Sequence, residues 1–128
     1  MRHLSEVGAL ETLRRGKPIE QFLGRSPSDS TCIRYIELRP SSDLIEVWVH
    51  DVADIGGEEF LDLYEFQDSA TSDPETPACA FEEAQAAATY AYVELSASAN
   101  RWVNQSVTQS EYLDFIRLDR PDVWPPIA

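Results

Sequence analysis

Residues 50–65 bring His50 and the carboxylates of Asp51, Asp54, Glu58, Glu59, Asp62 and Glu65 around a Gly56-Gly57 pair. Side chains of these types can ligate a metal, move protons or hold negative charge against a partner. Each possibility requires its own spacing. Neighbouring residues of a strand point to opposite faces, so His50 and Asp51 cannot jointly chelate one ion. The only other histidine is His3. A calcium loop needs oxygens at alternate positions around a central glycine, and Asp51, Asp54 and Glu58 do not keep that pattern. Paired carboxylates for glycosidic chemistry could be drawn from Glu58, Glu59, Asp62 and Glu65, but nothing selects a pair. Nucleophilic catalysis would rest on His50 alone as base. No metal, cofactor or catalytic residue is therefore assigned. The glycine pair is read as a turn that needs positive φ.

The charge surrounding this stretch is unusual. The 128-residue chain carries a formal charge of −13, yet residues 40–100 contain no Lys or Arg. A single-sign field of that extent repels nucleic acid and anionic membrane and steers cationic partners inward. Direct nucleic-acid and membrane binding are not expected. Asp51, Asp54, Glu58, Glu59, Asp62 and Glu65, with Trp48 beside them, are the predicted partner-binding residues. Cys32 and Cys79 lack metal-ligand spacing and are read as reduced thiols in a cytoplasmic protein. The opening residues have acids and no continuous apolar run, so no secretion signal is expected.

The elements that must position these residues follow from periodicity. Leu4, Val7, Leu10 and Leu13 recur at helical spacing, with Ser5 or a nearby residue as cap and Gly16 as stop. Pro18 then opens a one-turn helix, "PIEQFLG", closed by Gly24. "TCIRYIELR" and "LIEVWVHDV" read as strands around "PSSD". With Ser41-Ser42 as turn centre, Ile36 opposes Val47 and Tyr35 opposes Trp48. One face then carries Ile36, Leu38, Ile45, Val47 and Val49, fully covered. The other carries Ile33, Tyr35, Leu44, Trp48 and His50, partly covered. "EFLDLYEF" reads as a third strand and "QDSATSDPETP" as a surface loop. A long Ala-rich helix runs from Phe81 to Val103, with Pro77 and Cys79 at its start and Phe81, Ala84, Ala88, Ala91, Leu95, Ala99 and Trp102 on one stripe. Thr108 and Glu111 form a capping box opening a C-terminal helix. The expected architecture is α+β, one domain over residues 1–128: an N-terminal helix, a three-stranded antiparallel meander, and two helices packed on the sheet. Residues 119–128 form a Pro-rich tail in which Trp124 either docks or marks a contact.

The acidic hairpin "YIELRPSSDLIEVWVHDV…EEFLDLYEF" followed by an Ala-rich helix, in a chain of this size, resembles in type the bacterial immunity proteins of polymorphic or contact-dependent toxin systems. That resemblance implies a non-catalytic monomer or homodimer, bound tightly to a basic toxin domain such as a nuclease. An acidic DNA-mimic or anti-CRISPR-type inhibitor, an accessory or assembly subunit, and a small enzyme using His50 and its carboxylates stay open as alternatives.

Overall fold

The computed structural model describes residues 2–70, 73 and 75–126. The predicted loop 67–77 and tail 119–128 thus each include positions outside the described residues. The chain is α+β. Five antiparallel strands form one sheet, in the order β4-β3-β2-β1-β5. They are β1 (Ile19–Arg25), β2 (Cys32–Ser41), β3 (Leu44–Ala53), β4 (Cys79–Phe81) and β5 (Val103–Asn104). The helices are α1 (Glu6–Arg14), α2 (Ala84–Glu94) and α3 (Thr108–Arg117).

Helices α1 and α2 cover one face. Ala9, Leu10 and Leu13 of α1 meet Ile36, Leu38 and Val47 of the sheet, and Ala84, Ala87, Ala88 and Ala91 line the inner side of α2. Alanine on that side lets the helix backbone lie close to the strands. Ser5 caps α1 by accepting from Gly8 N at 3.0 Å, and Gly16 ends it at φ +82°. The opposite face holds a second core, in which Phe22, Ile33 and Val52 pack against Leu63, Phe66, Tyr112 and Phe115. This cover reaches only part of the face, and the remainder forms the site described below.

Several expectations are corrected. "PIEQFLG" is strand β1, paired with β2 and β5. Its Gly24 is no helix stop. At φ +83° it produces a bulge in the β1–β2 register, and its bare Cα lets the Trp124 side chain lie against it. The hairpin turns on Ser42-Asp43, because Ser41 pairs with Leu44 and Leu38 with Val47. The register is two residues from the expected one, and a two-residue slip leaves every side chain on its expected face.

"EFLDLYEF" is not a strand. Leu63–Glu65 is a single 3-10 turn closed by Asp62, whose carboxylate accepts from Tyr64 N at 3.1 Å. Leu63 and Phe66, three apart, both enter the second core, so a period of three replaces strand alternation here. The strand beside β3 is β4, which contains Cys79. Helix α2 stops at Glu94, far short of Val103. Ser96 takes φ +62°, and the buried Gln21 amide both accepts from Ser98 N and donates to Ser98 O, pinning the following turn to β1. Trp102 reaches the first core from outside the helix. Thr108 and Glu111 form no capping box: α3 has no side-chain cap, and both residues hold partners elsewhere.

Candidate functional site

The predicted acids divide by burial. Asp51, on β3, is buried and receives Arg34 in a fork, Nε to Oδ1 at 2.7 Å and Nη2 to Oδ2 at 2.9 Å. Asp54 accepts from Tyr112 Oη at 2.5 Å and Arg120 Nε at 3.0 Å. Both are internal struts. Glu58 meets Arg117 at 2.7 Å in an exposed pair, and Glu59 and Glu65 are exposed without a Lys or Arg partner among the described residues. Asp62 is half-buried at its turn. Trp48 is buried beneath the Arg39 guanidinium, 4.3 Å from its ring centroid, and donates from Nε1 to Glu46. Glycine Gly56 is pressed against Phe60, Phe66 and Tyr112.

Eight of the ten cationic side chains are held by acids of this same chain: Arg2, Arg14, Arg25, Arg34, Arg39, Arg101, Arg117 and Arg120. Arg15 and Lys17 stay exposed beside α1. Glu111, which the sequence offers as a capping residue, is buried and gathers Arg2, His3 and Arg101. No group of three or more His, Cys, Asp or Glu that could hold a metal exists among the described residues.

The uncovered part of the second face is chemically the most loaded region. Strand register puts Glu20 directly opposite Glu37, Glu37 opposite Trp48, and Tyr35 opposite His50. Like charges set opposite each other across strands repel, so the two glutamates are drawn apart by different partners. Glu20 accepts from Ser106 N at 2.9 Å, Thr108 Oγ1 at 3.0 Å and Tyr64 Oη. Glu37 takes Arg39 through Nε at 3.2 Å and Nη2 at 2.9 Å, with His50 Nε2 at 3.4 Å. The His50 ring stacks on Tyr35 with centroids 4.7 Å apart and lies parallel to Trp48 at 6.2 Å. Tyr64 closes one side, edge-on to Tyr35. Above them opens a cleft of about 330 Å³, walled by Tyr35, Glu37, His50 and Tyr64 with Arg39, Asp68 and Gln105 at its sides.

The glutamates are driven in opposite directions. Burial raises the pKa of Glu20, partly offset by its hydrogen bonds from Tyr64, Ser106 and Thr108, and the facing Glu37 adds to the rise. Burial also acts upward on Glu37, but hydrogen bonds from His50 and Arg39 outweigh it and leave its pKa lowered. Two carboxyls pushed apart in this way are the usual preparation for acid–base work. Here Glu20 has no exposed surface and does not wall the cleft. The groups offered to a visitor are the Glu37 and Asp68 carboxylates, two tyrosines and the edge of His50. That set suits a cation held against aromatic rings.

Of the residues singled out from sequence, only His50 and Trp48 belong to this cluster. Tyr35 falls, as expected, on the partly covered face with Trp48 and His50, whereas Glu20, Glu37, Arg39, Tyr64 and Asp68 were missed. The available signal was the alternation in "IEQFLG": read as a strand, it puts Glu20 and Phe22 on one face. In comparisons with known proteins, no family model matches the chain, and neither a curated protein nor a solved structure matches it. Among the described residues no helix is long and apolar enough to cross a membrane.

Proposed function

We propose that this chain is an acidic, non-catalytic binding protein that neutralises a basic protein, in the manner of a toxin immunity protein. The observation that carries this reading is the fate of its cations. With eight of ten ion-paired within the chain and none of the ten between residues 40 and 100, most of the net charge of −13 is left on carboxylates without a Lys or Arg partner. Solubility alone is met by a charge magnitude of roughly 2–8 with both signs interspersed. Glu58, Glu59 and Glu65, on the loop that covers the second core, are the accessible members of the predicted binding set. Asp54 supports that surface from within through Tyr112 and Arg120, Asp62 shapes its turn, and Asp51 lies on the opposite sheet face with Arg34.

The test is co-expression with the protein encoded by the adjacent gene. A basic product that co-purifies at equal stoichiometry, and whose association slows steeply as salt rises, is the expected result. An adjacent product that fails to bind, or a complex whose association rate ignores salt, refutes the reading.

A further inference from the structure

We propose that the cleft above Tyr35, Glu37 and His50 receives one lysine or arginine side chain of the basic partner, as the anchor of the interface. This rests on the acidic-binder reading and names the place where it acts. Three carboxylates, Glu20, Glu37 and Asp68, gather at or just beneath the cleft, against the single guanidinium of Arg39. Glu20 is fully buried and hydrogen-bonded only by neutral donors. A buried carboxylate without a cation keeps an attractive field that low dielectric screens poorly. A cation entering over Tyr35 and Tyr64 would offset the repulsion between Glu20 and Glu37, whereas an anion would add to it.

Size and walls point the same way. At about 330 Å³ the cleft has room for roughly ten waters, which suits one long side chain and not a folded segment. Its walls include the aromatic rings of Tyr35, Tyr64 and His50, and Arg39 already lies 4.3 Å from the Trp48 ring centroid on the same sheet face. Asp68 and Tyr64 are exposed at the rim and can meet an incoming charge before it is desolvated. A partner side chain is favoured over a free amine because exposed Glu59 and Glu65 share a loop with Tyr64 and would engage further cations of one protein surface. A central anchor with a charged surround is the arrangement in which protein interfaces concentrate their affinity.

The experiment titrates the full chain with N-acetyl-arginine amide, using its neutral isostere N-acetyl-citrulline amide as control, while NMR follows the ring signals of His50 and Tyr64. Saturable shifts at both rings, at least about tenfold weaker for citrulline, are expected. Asp68→Asn, an exposed change that leaves the backbone pairing with Val52 intact, should weaken arginine binding severalfold. Glu94→Gln, the same loss of charge at the end of α2, should not. Equal shifts with both probes, or equal effects of the two variants, overturn the assignment. The acidic-binder reading fails separately. A salt-sensitive complex that survives Asp68→Asn and excess N-acetyl-arginine amide keeps that reading and removes the cleft from it.

Discussion

Replacing Glu20 by Gln should stabilise the protein near neutral pH. The side chain keeps its size, and its oxygen can still accept from Ser106 N and Thr108 Oγ1, while its new amide can donate to Tyr64 Oη. Exchanging charged for neutral hydrogen bonds loses about 1 kcal/mol each, or about 3 kcal/mol for the three. Against that, the variant escapes the burial penalty of an ion, several kcal/mol even after relaxation. It also removes a like-charge cross-strand pair that destabilises by up to about 1 kcal/mol. The balance favours Gln by about 2 kcal/mol. The pH dependence follows from the raised pKa of Glu20. The folded state holds this proton more tightly than the unfolded chain, so the associated stability is complete below the ordinary carboxylate range. It is lost as pH rises through the raised folded value. Gln lacks that slope. Urea midpoints of both proteins at about pH 4.5 and about pH 8 should therefore differ little at the lower value and most at the higher. Glu20→Ala, by contrast, strands three donors and should cost about 2–4 kcal/mol. If Gln is as destabilising as Ala at about pH 8, the carboxylate is held favourably as an anion and the reasoning is wrong.

Asp51→Ala leaves the Arg34 guanidinium, 15 % exposed, without its fork and should cost about 3–5 kcal/mol by chemical denaturation. A cost below about 1 kcal/mol would mean that the pair behaves as a surface contact. Charge reversal of Glu58, Glu59 and Glu65 together to Lys should move stability by no more than about 1 kcal/mol, since only the exposed Arg117 pair is lost. Association with a basic partner should slow far more than with any single reversal. Gly24→Ala combines positive φ with a Cβ 2.4 Å from that of Trp124 and should cost about 2–3 kcal/mol, with Trp124 fluorescence shifting red as its ring leaves Phe22 and Phe115. Cys32 and Cys79 should both alkylate in denaturant without reductant. In the folded protein the half-buried Cys79 should react first, and both slowly at neutral pH, because burial raises each thiol.

The elements legible from sequence are those whose signal is local. Ser5 and Gly16 bound α1 through side-chain capping and backbone freedom, both set within a few residues. The β2–β3 hairpin was legible in its faces though not in its register, because alternation fixes parity while only the turn fixes the pairing. Length was misjudged wherever a distant group intervened. Nothing between Leu95 and Trp102 reveals that Gln21, more than seventy residues earlier, will hold Ser98 and end α2. The Thr108/Glu111 spacing matches a capping box, yet the carboxylate is drawn to Arg2, His3 and Arg101, and the hydroxyl to Glu20. For Glu111 the charged partners outcompete a backbone N–H, because charge-assisted hydrogen bonds are the stronger, and Thr108 sits inside the helix with Val107 at the cap position.

The candidate site was hidden for the same reason on a larger scale. An acidic run is conspicuous in sequence, but its first members, Asp51 and Asp54, are consumed by Arg34 and Arg120 from other elements. The carboxylates that matter electrostatically are isolated letters, Glu20 among apolar residues and Glu37 within a hydrophobic strand. They become a pair only when β1 lies beside β2 in one register. Moving that register by one residue would send Glu20 to the α1/α2 face, away from Tyr64, Ser106 and Thr108. The bulge at Gly24 stands between the two halves of this pairing: Glu20 and Phe22 keep theirs before it, and Arg25 meets Ile33 after it. The same glycine seats Trp124 against Phe22 and Phe115, so the aromatic cover closes at the end of β1 away from Glu20 and the charged cleft.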